Sequence, residues 1–254
     1  MRITVLGSGT GLPSLRRASP GLLVEAGGLR ILMDTGPGTL RQVLKAGVEL
    51  REIDFLCFTH HHPDHTLDLL AFLFASNNPL IPERKRPFVV VGAHGMRAWL
   101  KKAVALYGSS VVPPADSMEL LELDPASGET ALSSGLTLAA APMEHRPGSL
   151  GFRLRDAEGR VMAYSGDTDV CDSLVDLGRN AHVLVLECSM PDDAKAPGHL
   201  TPSLAGAVAH RANARSLVLT HFYPPCDEID VAAHCRRHFK GEIIVAEDLL
   251  KIDV

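Results

Sequence analysis

The sequence predicts a four-layer αββα sandwich, two β-sheets face to face with helices on both outer faces. Three observations predict it. The chain has 254 residues, a length that suits one large α/β domain or two small ones. Short apolar runs bounded by glycine, proline and asparagine alternate with amphipathic helical stretches along its whole length, the pattern of sheets covered by helices. No internal repeat, low-complexity tract or charged linker divides it, so residues 1–254 are read as a single domain. Apolar residues are 46% and charged residues 22%, the balance of a globular rather than a disordered chain.

Taken in order, Arg2 to Leu6 alternates as a strand and ends in the glycine-rich loop Gly7 to Pro13. Leu22 to Glu25 and Leu29 to Asp34 flank Gly27-Gly28 as a hairpin. Thr39 to Ala46 is helical and stops at Gly47, Phe55 to Phe58 is a buried strand, and Thr66 to Ala75 is an apolar helix ending before Asn77-Asn78-Pro79. Phe88 to Val91 is a strand and Met96 to Leu106 a helix. Strands follow at Met118 to Leu123, Leu136 to Ala141, Leu150 to Arg155 and Arg160 to Tyr164. The last third alternates: a helix near Ser173, strand Val183 to Glu187, helix Ser203 to Ala212, strand Ser216 to Leu219, helix Ile229 to Phe239 and strand Glu242 to Val245.

The formal net charge is −5, which gives no general attraction for a phosphate backbone. The one strong basic run, Arg84-Lys85-Arg86, reads more simply as a solvated loop. No uncharged run reaches the roughly 18 residues that span a bilayer, and the apolar start is too short for a signal peptide. Five scattered cysteines without a CxxC pair read as reduced thiols, which points to the cytoplasm. The compositional signal is in the 12 histidines.

The strand Phe55 to Phe58 runs into Thr59-His60-His61-His62-Pro63-Asp64-His65. Leaving a strand with a side-chain period of two, His60 and His62 point the same way. The turn at Pro63 carries Asp64 and His65 to a second position. Imidazoles with one or two carboxylates suit Zn²⁺ and, less selectively, Mn²⁺ or Fe²⁺. A solvated histidine run would lack both the embedded aspartate and the apolar strand in front. Two ions need further ligands, and His145, Asp167 and His221 each follow a predicted strand. Asp167 is the natural shared ligand, since a carboxylate has two oxygens.

These residues resemble the metallo-β-lactamase superfamily of binuclear hydrolases. Further stretches resemble its ribonuclease Z branch: Leu6 to Pro13, Ile31 to Thr39, Phe55 to Thr59, Leu186-Glu187-Cys188, Gly198-His199-Leu200-Thr201 and Leu217 to Phe222. The likeness runs from about residue 2 to residue 250. It implies a metallo-β-lactamase-like sandwich with the metal site at the edge between the two sheets. It also implies one metal on His60, His62 and His145, the other on Asp64, His65 and His221, and Asp167 bridging. A hydroxide between the ions would be the nucleophile.

In that branch the histidine matching His199 stabilises or protonates the leaving group and the acid matching Glu187 orients it. With Asp64, these form the expected catalytic set. The loop Pro197-Gly198-His199 before a helix suits such a projection, although alone His199 could be a surface histidine and Glu187 a strand-end ion-pair partner. Asp34, ending an apolar strand, reads either as the group that holds a ligand histidine by its other nitrogen or as a turn former. The Gly7 to Pro13 loop lacks the lysine of a nucleotide cradle. His61 should face away from the cluster, and His234 and His238 read as one side of a solvated helix.

The expected function is a metal-dependent phosphodiesterase acting on a small or accessible diester, a cyclic nucleotide or a nucleic-acid end, with two divalent ions, zinc first and manganese or iron as alternatives. tRNA 3′-processing is the alternative within the branch. Its enzymes carry a long arm that grips the tRNA, and Asp167 lies only 22 residues after His145, a span filled by two predicted strands. A thioester, lactone or sulfate-ester hydrolase of the same fold is a further alternative, and a binding module without catalysis another. Homodimers are common in this branch, but nothing in the sequence marks an interface.

Overall fold

The computed structural model describes residues 1–82, 84, 86–133 and 135–254. Its strands are β1 (Arg2–Gly7), β2 (Gly21–Ala26), β3 (Leu29–Met33), β4 (Phe55–Cys57), β5 (Phe88–Ala93), β6 (Met118–Leu123), β7 (Thr130–Ser133), β8 (Leu136–Pro142), β9 (Leu150–Arg155), β10 (Val161–Tyr164), β11 (Val183–Glu187), β12 (Ser216–Thr220), β13 (Glu242–Val245) and β14 (Lys251–Asp253). They form two seven-stranded sheets, in the orders β14-β1-β2-β3-β4-β5-β6 and β13-β12-β11-β10-β9-β8-β7. The helices are α1 (Thr39–Lys45), α2 (Pro63–Ser76), α3 (Met96–Tyr107), α4 (Asp172–Leu177), α5 (Pro202–Arg211) and α6 (Val231–Arg236).

Side-chain alternation builds the layers. On β3, Ile31 and Met33 face the second sheet while Leu32 faces the outer helices; on β4, Phe55 and Cys57 face inward and Leu56 outward. Leu32 and Leu56 join Val43, Leu69, Phe72, Met96 and Leu100 from α1 to α3. The second sheet is covered on its far side by Leu174, Ala205, Val208 and Cys235 from α4 to α6. Strands β11 and β12 are buried along their length because helices and the partner sheet cover both faces, which explains their unbroken apolar runs. Truncating a fully buried Phe72 or Phe152 would cost about 3–5 kcal/mol through lost burial and the cavity left behind.

The strand order places the carboxyl ends of β4, β10, β11 and β12 at one edge. β3–β4 and β10–β11–β12 are parallel ladders, and the loops that leave these ends carry the chemistry. The predicted strands are all present. Two strands went unforeseen, β7 and β14, both short, lying at opposite ends of their sheets and poor in apolar residues. The helix expected at Ile229 to Phe239 narrows to α6, with Asp230 capping its start through Ala233 N. α2 starts at Pro63 rather than Thr66, with proline at the first helical position, where its missing N–H costs nothing. Asp64 and His65 therefore sit on the first turn of a helix.

Of the basic run, Lys85 lies outside the described residues. Arg86 pairs with Asp54 at 2.7 Å and Arg84 donates to Leu50 O and lies over the Phe88 ring, so both brace the loop against β4 and β5.

Candidate active site

His60 leaves β4 buried, and Asp34 explains how. Asp34 ends β3 with φ +59°, a conformation that asparagine and aspartate tolerate better than most residues. Its Oδ1 accepts the Thr59 N–H at 2.8 Å, and its Oδ2 accepts the Thr59 hydroxyl at 2.8 Å and the Tyr164 hydroxyl at 3.0 Å. The fourth donor is the Nδ1–H of His65 at 2.8 Å. Asp34 is fully buried, and its two oxygens, accepting from four donors, tie β3, β4, β10 and α2 together at the sheet edge. Gly166, with φ +59°, passes Thr59 so closely that a Cβ would lie 2.6 Å from it.

Three overlapping groups of side chains that could hold a metal converge here: His60, His62, His145 and Asp167; Asp64, His65 and His221; and Asp167, His199 and His221. Asp167 lies between the first two. Its Oδ2 is 3.9 Å from His60 Nε2 and 3.8 Å from His145 Nε2. Its Oδ1 is 3.3 Å from both His65 Nε2 and His221 Nε2. Asp64 Oδ2 lies 3.6 Å from His65 Nε2 and 3.7 Å from His221 Nε2. The opposite ring nitrogens are engaged: His145 Nδ1 with Gly198 O at 3.0 Å and His221 Nδ1 with the Ser189 hydroxyl at 3.0 Å.

The donor set fits divalent cations. His65 Nε2, His221 Nε2 and Asp167 Oδ1 are buried with no hydrogen-bond partner among the described residues, although they face one another. Orphaned buried polar atoms cost about 1–3 kcal/mol each, and a cation shared by imidazole nitrogens and carboxylate oxygens relieves all three. His221 takes φ +62°, a strained conformation for histidine of the kind found at functional positions.

The electrostatics follow from burial among like and unlike charges. Burial, then the neighbouring histidines, drives His60 down to about 2. Burial pushes the Asp64 carboxyl up, but His221 and His65 outweigh it and hold Asp64 at about 2. Burial acts on Asp167 in the same direction, and His221, His65 and His60 hold it well below the usual carboxylate range.

His199 projects from the loop before α5. Its Nδ1 is 2.9 Å from Glu187 Oε1. Burial works against its protonation, yet the bond to Glu187 raises it above the ordinary histidine range. Glu187 is itself fixed: Thr168 N–H donates to Oε1 at 2.8 Å and the Ser189 hydroxyl to Oε2 at 2.6 Å. The His199 ring lies 4.9 Å from that of His145 and 6.1 Å from that of His221, so the Glu187–His199 pair borders the cluster.

The structure thus gathers His60, His62, Asp64, His65, His145, Asp167, Glu187, His199 and His221 at one sheet edge, and it places Asp34 in hydrogen-bond contact with His65. His61 faces away, stacked on Trp99 at 5.4 Å with its Nε2 3.3 Å from Met96 Sδ. His234, expected on a solvated helix side, instead pairs with Asp192 at 2.7 Å, while Cys235 points into the core. The Gly7 to Pro13 loop borders the site, and a Cβ on Gly11 would lie 3.2 Å from the Asp64 carboxylate. Sequence reasoning passed over Ser189, Thr59, Thr168 and Tyr164, all polar residues at strand ends, which was the signal available.

Residues 29–222 match the family model described as a beta-lactamase superfamily domain. The chain is 30% identical over 281 residues to a ribonuclease Z of Mycobacterium sp. (strain KMS), covering 100% of this chain and 96% of that one. Among solved structures it is similar to human tRNase Z, short form, at 27% identity and a TM-score of 0.78, covering 100% of this chain and 99% of that one. The metallo-beta-lactamase fold protein YhfI from Bacillus subtilis shares the fold at 21% identity and a TM-score of 0.84, over 99% of both chains. The chain belongs to the beta-lactamase superfamily, in its ribonuclease Z-like branch, and is a metal-dependent hydrolase.

Proposed function

We propose that this chain is a phosphodiesterase that uses two divalent ions, zinc first, on a small or accessible phosphodiester. The observation that carries the reading is the part-buried pair Glu187–His199 beside two groups of candidate ligand side chains with Asp167 between them. His60, His62, His145 and Asp167 would hold one ion, and Asp64, His65, His221 and Asp167 the other. When bound, such ions lower the pKa of water from about 15.7 to roughly 7 and clamp the oxygens of an in-line displacement.

The protein groups supply the rest. Asp34 keeps the His65 proton on Nδ1 and so leaves Nε2 free to face Asp167. Glu187 holds a proton on His199 Nδ1, which orients the ring and favours its charged form. His199 Nε2 can then donate to the leaving oxygen. Phosphodiesters are favoured over thioesters because an alkoxide leaving group, far more basic than a thiolate, gains most from such a donor. The ribonuclease Z and tRNase Z relatives support the same chemistry.

A small diester is favoured over intact precursor tRNA by the span between His145 and Asp167, which β9 and β10 occupy with short turns. The test is hydrolysis of bis(p-nitrophenyl) phosphate by protein reconstituted with Zn²⁺ or Mn²⁺, with a chelator-treated control. Metal-dependent turnover is expected. Its absence in protein shown to carry two metals would overturn the reading, and faster cleavage of precursor tRNA than of small diesters would replace it with the tRNA-processing alternative.

A further inference from the structure

Beside the cluster lies a cavity of about 600 Å³ between the end of β5 and the turn joining β8 to β9, lined by His94, Asp124, Met143, His145, Arg146 and Leu150 among others. Its volume falls within the range of about 300 to 1,000 Å³ that accepts small organic ligands. Its wall includes His145, so whatever fills it lies against that one member of the cluster.

Arg146 is the charged group at that junction. It is exposed, and its guanidinium forms no ion pair or hydrogen bond among the described residues; its backbone N–H donates to the Ser149 hydroxyl at 3.2 Å and its carbonyl accepts the Ser149 N–H at 2.9 Å. The turn is therefore braced while the guanidinium stays available. Its neighbours across the cavity are accounted for: Asp124 caps the turn at Pro125 through Ala126 N at 2.9 Å, and His94 lies 3.8 Å from Glu122. Glu144 is the opposing charge, an exposed carboxylate on the same turn.

We propose that this cavity is the subsite for one nucleoside arm of the substrate and that Arg146 binds a second phosphate on that arm. The inference rests on the phosphodiesterase reading and narrows it. The preferred substrate is a linear nucleotide diester with a neighbouring phosphate, such as a nucleic-acid end, rather than a cyclic nucleotide, which has a single phosphate. A planar guanidinium matches phosphate oxygens with two parallel bonds, and a free one beside the ligand cluster has no structural task to compete with that role.

The experiment compares thymidine 5′-(p-nitrophenyl phosphate) with and without a 3′-phosphate, using the metal-loaded protein. The added phosphate is expected to lower KM about tenfold, the scale of one charge-assisted pair. Arg146→Ala is expected to erase that preference, Arg146→Lys to keep part of it, and Glu144→Gln to enlarge it. Calorimetric binding of thymidine 3′,5′-bisphosphate against thymidine 5′-monophosphate should show the same preference and the same loss, without turnover. A protein that binds and cleaves both probes alike overturns the subsite, as does a preference that survives Arg146→Ala. A bisphosphate preference that depends on Arg146, in protein that cleaves no diester, upholds the subsite and overturns the phosphodiesterase reading instead.

Discussion

The Nδ1–H of His65 donates to Asp34 Oδ2 at 2.8 Å, and this bond decides which face of the imidazole meets Asp167. Both residues are fully buried, so neither water nor a rotated ring can substitute for it. Asp34→Asn keeps the shape but can offer an N–H where His65 needs an acceptor. Metal affinity is expected to fall about 10- to 100-fold, the usual effect of losing such a partner, measured by titration against a chromophoric chelator. Unchanged affinity would reduce Asp34 to a brace for the β3 end.

Asp167 faces ligand side chains on both sides, at 3.3 Å from His65 and His221 and 3.8 to 3.9 Å from His145 and His60. On the proposed two-ion reading, Asp167→Ala should therefore release both ions, more than any single histidine replacement does. Elemental analysis of the purified variants reads this directly. Retention of one full equivalent would show that Asp167 belongs to one group alone.

His61 lies between ligand residues in sequence but stacks on Trp99. His61→Ala is expected to leave metal content intact and to cost about 0.5–1.5 kcal/mol of stability, the scale of an aromatic pair. Elemental analysis and denaturant unfolding check the two halves of this statement. Metal loss in this variant would mean that the assignment of His60 and His62 is misplaced.

His199→Ala removes the proposed proton donor and leaves His60, His62, His145 and Asp167, and Asp64, His65 and His221, in place. A drop in kcat of about 10²- to 10⁴-fold on a diester with a poor leaving group is expected, with a smaller drop when p-nitrophenolate leaves, since it needs no proton. Equal losses on both substrates would assign His199 to positioning instead.

Asp192 gives a pH dependence remote from the ligands. Thr201, the residue before α5, makes no side-chain cap; Asp192 Oδ1 instead accepts Ser203 N–H at 3.0 Å, and Oδ2 accepts the Ser203 hydroxyl at 2.6 Å and His234 Nδ1–H at 2.7 Å. Burial pushes its carboxyl up, but these bonds hold it well below the usual carboxylate range. The folded value being depressed, the stabilisation is present above the unfolded value of about 3.9 and is lost as pH falls through the folded one. Asp192→Asn should cost about 1 kcal/mol at pH 7, as for a lost cap, or roughly 2–4 °C in Tm, and the gap should shrink below about pH 4. Thermal scans at pH 7 and pH 3 showing the same gap would contradict this.

Much of the site was legible because metal-ligand chemistry leaves local marks. His60, His62, Asp64 and His65 fall within six residues, and His145, Asp167 and His221 each stand just past an apolar run. The other twelve strands were legible for the same reason, since burial on a pleated sheet writes itself as apolar alternation or apolar runs. Strands β7 and β14 escaped because an edge strand is held by backbone pairing on one side and needs few apolar side chains. The start of α2 at Pro63 escaped because histidine and aspartate are weak helix formers, and their helical state is set by packing against Thr35, whose N–H donates to His65 O at 2.7 Å.

The sequence by itself determined which residue types stand at strand ends and in what spacing, and so the fold class and the candidate ligands. Tertiary structure alone decided what they do to one another. Asp34 and His65 are 31 residues apart, His145 and Gly198 are 53 apart, and Tyr164 reaches Asp34 across 130. Such contacts depend on how two sheets pack and on which ring nitrogen each neighbour engages, information that burial and hydrogen-bond geometry carry and local residue order does not.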